Sequence, residues 1–442
     1  MKYKLASSLI FFFLLTTVFS QTFNKAKMDS FFSVLSSKDK AMGSLTISKN
    51  GVIFYNNAIG YASITGQEKT PATIKTKYRV GSITKMFTAV IIFQLIEENK
   101  LTLDITLDKY FPVIPNASKI SIGNLLNHRS GIHNFTDDSL YLTYNEHPQT
   151  QQQMLDIIVK SAPDFEPGSQ ASYSNSNFIL LGYIAEKISG KTYSQLVQER
   201  IVKKLNLTDT YVGAQTNIKK NESYSYRFVG GWAQEPETDM SVPGGAGNIL
   251  STTDDLTRFI EGLFAGKLVS AASLDKMKTL NDNYGMAMFQ IPFYTKKAYG
   301  HNGGIDGFSS MLGYFQEDSV AFAYCTNGQV YPANDIIIGV LSIYFNYPYT
   351  IPAFNTITVE SNELEKYVGV YSSLQIPLKI TITKENASLI AQATGQKAFT
   401  LEAMGKDIFQ FEKVGAVFEF NPVKNEFILK QGGGEFLFTK EK

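Results

Sequence analysis

The run from Met86 to Ile96 has the length of a helix but lacks a polar side. Met86, Phe87, Ala89, Val90, Ile92 and Phe93 spread around most of a helical circumference, whereas a surface helix confines its apolar residues to one stripe. A helix here must be enclosed by other elements, and its first turn would be held rigid in a cleft between them. The chain has the material for this, being 442 residues long, 44% hydrophobic and 18% charged. That length exceeds one ordinary core and implies two or three domains.

The surrounding pattern changes along the chain. Asn24 to Ser37 reads as an amphipathic helix, followed by strands Ser44 to Ser48 and Val52 to Ile59, joined at the hairpin signal Asn50-Gly51. Helical stretches then dominate: Met86 to Glu98, Ser121 to Asn127, Met154 to Lys160, Asn177 to Ile188 and Tyr193 to Lys203. Ser251 to Asp255 offers an N-terminal cap for a helix through Phe264. Strand character returns at Met286 to Phe289, Phe308 to Phe315 and Val320 to Cys325, before a helix from Asp335 to Phe345. The expected fold is α+β: an antiparallel sheet flanked by helices, with an all-helical domain inserted between its halves. Residues 21–345 form this unit and 346–360, with Pro348 and Pro352, read as a linker. Residues 361–442 alternate with period two, as in Leu378 to Thr383 and Phe418 to Phe420, and imply a small all-β, barrel-like module.

Composition narrows the partners. A formal net charge of +1 and the lack of a long single-sign run argue against nucleic acid and against an anionic membrane surface. Small molecules and peptides remain. Lys2 and Lys4 precede the apolar run Leu9 to Leu15 and Val18-Phe19-Ser20, which reads as a signal peptide over residues 1–20, cut before Gln21. The apolar run falls short of the roughly 20 residues that a membrane span needs. Export to the periplasm or the medium, with no stable membrane span in the mature form, is the expectation. Cys325 is the single cysteine, so no internal disulfide can form, and its strand context makes it a core residue.

Three short motifs carry candidate chemistry. In Gly81-Ser82-Ile83-Thr84-Lys85, Ser82 opens the buried helix and Lys85 lies one turn on, on the same face. A helix N-terminus favours a developing alkoxide, and a lysine desolvated among apolar groups can become neutral enough to take a serine's proton. Ser-x-x-Lys also occurs at Ser37-Lys40 and Ser273-Lys276, so spacing alone is not decisive. In Tyr173-Ser174-Asn175, the phenol can act as general base or relay a proton, and the Asn175 amide can orient lysine and substrate. In His301-Asn302-Gly303-Gly304, the glycines permit close backbone approach, so a substrate can lie along the strand edge. The Gly304 N–H can pair with that of Ser82 as an oxyanion hole. His128 and His133, in Leu125 to His133, lack a third ligand at useful spacing and read as loop structure; no metal is implied.

Taken in order, Tyr78 to Lys85, Leu125 to Gly131, Tyr173 to Asn177, Pro243-Gly244-Gly245 leading to Leu250 to Leu256, and His301 to Gly304 resemble the penicillin-recognising serine hydrolases. These include class C β-lactamases, D-alanyl-D-alanine carboxypeptidases, D-aminopeptidases and related esterases. The resemblance covers about residues 25–345. It implies an acylated Ser82, proton work shared by Lys85 and Tyr173, orientation by Asn175, a strand edge lined by His301 and Gly303, and oxyanion donors at Ser82 and Gly304. No metal or organic cofactor is implied. Where class C β-lactamases open the third motif with lysine, this chain has His301, which is similar to certain carboxypeptidases and esterases of the family. A D-amino-acid peptidase or esterase is therefore expected, with a class C-like β-lactamase and a non-catalytic penicillin-binding or sensor protein as alternatives.

Overall fold

A computed structural model of the chain describes residues 23–354, 359–411, 414–431 and 434–441. The expected leader over residues 1–20 lies outside the described residues. The central sheet contains β1 (Ala41–Lys49), β2 (Val52–Ile59), β3 (Phe289–Phe293), β4 (Lys296–Ile305), β5 (Phe308–Phe315) and β6 (Val320–Gln329). Its spatial order is β3-β4-β5-β6-β1-β2, antiparallel throughout, so the two ends of the region ahead of residue 346 meet where β6 pairs with β1.

The helices that frame the sheet and the site are α1 (Lys25–Ser37), α2 (Thr84–Glu97), α3 (Ile122–Leu126), α4 (Asn175–Ser189), α5 (Thr253–Phe264) and α6 (Ala333–Tyr344). Strand β6 explains how both faces are covered. Phe322 and Tyr324 join Phe31 and Phe32 of α1 and Ile336 and Val340 of α6 in one core. Ala321, Ala323 and Cys325 point the other way, into a core with Phe87 and Val90 of α2 and Phe259 of α5. Large residues fill one side and small ones let helices approach the other. An uninterrupted apolar strand is the signature of a sheet covered on both faces.

Helix α2 is buried from Thr84 to Leu95, as its lack of a polar side demands. It starts two residues earlier than the apolar run suggested. The segment between the sheet's halves is not purely helical: Ile249–Ser251 pairs with both Tyr78–Arg79 and Tyr211–Val212, and Tyr226–Phe228 pairs with Trp232–Gln234. The stretch expected as one helix from Tyr193 to Lys203 leaves α geometry after Val197 for a π turn over Gln198–Val202.

Beyond residue 360, eight strands close into an antiparallel barrel: β7 (Gly369–Ser372), β8 (Lys379–Glu385), β9 (Ser388–Ala393), β10 (Phe399–Gly405), β11 (Ile408–Phe411), β12 (Ala416–Asn421), β13 (Glu426–Gln431) and β14 (Gly434–Lys440). Closure removes the exposed edges that eight short strands would otherwise present. Inward residues such as Ile382, Phe418, Phe427 and Phe438 form the barrel's own core. The barrel rests on the first domain through Lys40 and Glu402, through Arg227 and Glu385, and through Thr400 Oγ1, which donates to the Phe228 carbonyl at 2.7 Å.

Candidate active site

Gly81 takes a left-handed φ of 52°, which turns the chain from the Tyr78–Arg79 strand into a single 3₁₀ turn, Gly81–Ile83. Ser82 sits on this turn, immediately ahead of α2, and is partly exposed. Thr84 and Lys85 begin the α-helix proper, so Lys85 comes under Ser82 one turn on. The Lys85 side chain is fully buried, and burial pushes its pKa far below the usual lysine range. Its Nζ lies 2.9 Å from Ser82 Oγ, 2.7 Å from Asn175 Oδ1 and 2.8 Å from the Ala246 carbonyl. None of these partners is a carboxylate.

Asn175 is the first residue of α4 and Tyr173 lies just before it. The Asn175 Nδ2 donates to Asn134 Oδ1 and to Thr136 Oγ1, each at 3.1 Å. Both its N–H bonds are thus committed within the protein, and the amide aims its oxygen at Lys85. The Tyr173 phenol is raised above the usual tyrosine range by burial, an effect opposed by its hydrogen-bonding contact with the Ser82 side chain. Lys85 Nζ stands 4.9 Å from the centre of the Tyr173 ring. Serine, lysine and tyrosine therefore surround one point, although 88 residues or more separate the tyrosine from the other two in sequence.

The third motif arrives on β4. A Cβ at Gly303 would lie 2.1 Å from the Val80 carbonyl oxygen and 2.9 Å from Ser82 N. A Cβ at Gly81 would lie 2.7 Å from Gly304 N. Only glycine lets strand and turn meet here, and the amide nitrogens of Ser82 and Gly304 flank this contact. The ladder between β3 and β4 ends at Phe289–Gly300, so residues 301–305 extend past that neighbour with an open edge beside Ser82. His301 is buried, its Nδ1 hydrogen-bonds to the Asn302 carbonyl, and its pKa is pushed down to about 3 by burial and then by the Lys85 charge. It is a neutral ring at the cleft wall, packed on Phe289 at 4.7 Å.

The structure thus brings together Ser82, Lys85, Tyr173, Asn175, His301, Gly303 and Gly304. It also adds groups that the sequence reading passed over. Asn134 and Thr136 hold the Asn175 amide, and the Ala246 carbonyl completes the Lys85 environment; none has a motif at recognisable spacing. His128 and His133 separate in role. His133 binds Asp164 at 2.8 Å on the surface, whereas His128 is buried 4.5 Å from the Tyr173 ring. Cys325 is buried opposite Ser44 and Ser310, and burial raises its thiol pKa, which keeps it protonated and inert.

An antiparallel sheet carrying an open strand edge next to a serine that is backed by a desolvated lysine defines a serine hydrolase of the penicillin-recognising class. The family model described as Beta-lactamase matches residues 34–339, and the chain belongs to that family. Penicillin-binding protein 4* of Bacillus subtilis (strain 168) is 26% identical over 93% of this chain and 98% of its own. A D-stereospecific amidohydrolase from Streptomyces sp. is similar at 26% identity and a TM-score of 0.61, over 73% of this chain and 99% of its own. The octameric penicillin-binding protein homologue from Pyrococcus abyssi shares the fold with a TM-score of 0.65 at 22% identity, over 94% of this chain and 100% of its own.

Proposed function

We propose that this serine hydrolase cleaves amide or peptide bonds next to a D-amino acid through an acyl-enzyme on Ser82, outside the cytoplasm. The observation that carries the mechanism is the set of contacts around Lys85. A neutral amine has two N–H bonds and one lone pair. Asn175 Oδ1 and the Ala246 carbonyl can only accept, so they take the two N–H bonds, and the lone pair faces the Ser82 hydroxyl at 2.9 Å. As Oγ attacks the substrate carbonyl, its proton passes to Lys85. The oxyanion is met by the N–H groups of Ser82 and Gly304, each such donor being worth about 2.7–4 kcal/mol. When the C–N bond breaks, the Tyr173 phenol, which its raised pKa keeps protonated, delivers a proton to the departing amine and recovers one from Lys85. Water then attacks the ester carbonyl, its proton leaves by the same pair, and Oγ is released as hydroxyl.

The D-amino-acid preference is supported by the likeness to the D-stereospecific amidohydrolase and by His301 in place of a lysine on the strand edge. That edge suits an extended substrate added as a strand. Export is supported by Lys2, Lys4 and the apolar run from Leu9 to Leu15, and N-terminal sequencing of the exported protein should begin at Gln21.

The test pairs substrates with a variant. The wild-type protein should cleave D-amino-acid amides in preference to their L counterparts and to a chromogenic cephalosporin. Ser82→Ala should lower that turnover by about 10⁴-fold or more, with thermal melting unchanged. Faster cephalosporin than D-amide turnover, or a Ser82→Ala protein as active as wild type, would overturn the reading.

A further inference from the structure

His128 occupies a costly place. It follows the C-cap of α3, Asn127, with a left-handed φ of 59°, at the point where helices usually place glycine or asparagine. Its ring is buried, and Nε2 has no hydrogen-bond partner among the described residues. A buried unpaired polar group and a left-handed non-glycine residue both cost stability, so the side chain should return something.

What it contacts is Tyr173, from three directions. The His128 carbonyl accepts from Ser172 N at 2.9 Å. Its Nδ1 accepts from Ser174 N at 3.1 Å, which also fixes the ring proton on Nε2. Between those two anchored residues, the imidazole lies against the Tyr173 ring at 4.5 Å, tilted by 31°. The left-handed backbone is what allows carbonyl and ring to grip the same tripeptide. Phe178 and Tyr284 close the remaining sides of the imidazole at 5.3 and 5.4 Å, so it has little freedom to turn.

We infer that His128 is a positioning residue that holds the Tyr173 phenol at Ser82 by clamping the backbone on both sides of it and packing against its ring. It touches neither substrate nor the reacting atoms and acts only through Tyr173. The inference rests on the proposed role of Tyr173.

The test needs no knowledge of the natural substrate. A fluorophosphonate reacts with an activated serine: the Oγ–P bond forms as the serine's proton passes to Lys85, and the P–F bond breaks as the Tyr173 phenol, resupplied from Lys85, protonates the departing fluoride. Its saturation curve separates the limiting rate of labelling from the concentration giving half that rate. Tyr173→Phe should lower the limiting rate by about 100-fold, a usual size for one proton-transfer group. His128→Gly, which suits the left-handed backbone, should lower it by about tenfold or more through misplacement alone, with half-saturation unchanged. His128→Asn also suits that backbone and keeps an acceptor for Ser174 N, so it should lie between His128→Gly and wild type. In the Tyr173→Phe background, His128→Gly should cost less than about twofold, because two residues acting as a unit are not additive. Rates are taken per labelled site, so a partly unfolded preparation does not imitate the effect.

Equal fold-losses for His128→Gly in both backgrounds, or a change in half-saturation with the limiting rate intact, would overturn the role given to His128. A Tyr173→Phe protein that labels at the wild-type rate would instead overturn the assignment of Tyr173, and the inference with it.

Discussion

Two lysines in this chain follow a serine by three residues and are buried, and they do opposite things. Lys85 lies in the catalytic cleft among a hydroxyl, an amide oxygen and a peptide carbonyl. Lys40 lies where the barrel meets the sheet, its side chain 4% exposed, with Nζ 2.6 Å from Glu402 Oε1. Burial is common to both. A carboxylate partner stabilises the ammonium at Lys40, whereas around Lys85 nothing offsets desolvation and the neutral amine is favoured. The third copy of the spacing, Ser273 and Lys276, separates further: Ser273 donates to Glu97 and Lys276 is exposed. A serine and a lysine one turn apart thus become a reactive pair only where the surroundings withhold negative charge.

The contrast can be tested by giving Lys85 what Lys40 has. Asn175→Asp places a carboxylate at the position 2.7 Å from Nζ, in the first turn of α4, where the helix dipole tolerates an anion. Lys85 should then hold its proton as an ion pair. Turnover per folded molecule should fall by about 10³-fold, within the range for loss of a general base, and the melting temperature should drop as well, because the oxygen that replaces Nδ2 faces Asn134 Oδ1. Turnover close to wild type would mean that the charge state of Lys85 does not govern reactivity.

The converse change removes the partner of Lys40. Glu402→Gln leaves a buried ammonium facing an amide, and breaking a buried pair in this way costs about 3 kcal/mol. Denaturant unfolding should register that loss in the barrel contact, while turnover per folded molecule is unchanged, because Lys40 lies outside the cleft. A fall in turnover without a fall in stability would contradict this separation of roles.

These two sites also show what the chain's letters disclose and what they do not. Ser82, Lys85, Tyr173, Asn175 and His301 were legible because each sits in a short motif whose order along the chain is informative. The burial of α2 followed from residues 86–96 alone, and the β character of the last domain from its period-two alternation. Sequence alone makes His128 loop structure, because its hold on Tyr173 depends on a left-handed backbone and on which ring nitrogen faces Ser174 N, and neither leaves a trace in spacing. The Lys40–Glu402 pair spans 362 residues between two domains, beyond any local pattern. The short pairing of Tyr226–Phe228 with Trp232–Gln234 is not legible in the sequence, because Val229-Gly230-Gly231 carries a turn signal but its flanks are too short for alternation to register.

The smallest of the expected effects isolates the titration of Lys85 itself. In the unfolded chain its ammonium releases a proton near pH 10.4, the ordinary lysine range. In the folded protein burial lowers that pKa, so between the two values the unfolded state holds a proton that the folded state lacks. Stability must then rise with pH across this window, by up to about 1.4 kcal/mol per pH unit. Buried tyrosines such as Tyr78 and Tyr173 act in the opposite sense, because they keep protons that the unfolded chain loses near pH 10. The measurement therefore belongs below about pH 9, where tyrosines in both states remain about nine-tenths protonated or more. Lys85→Met also strips donors from Asn175 Oδ1 and the Ala246 carbonyl, which displaces the whole stability curve. That displacement does not depend on pH, so the difference in slope between variant and wild type reports the lysine alone. Unfolding free energies collected between about pH 7.5 and 9 should climb more steeply for wild type than for Lys85→Met. Parallel curves would mean that the folded protein keeps Lys85 charged, and the lone pair aimed at Ser82 would not exist.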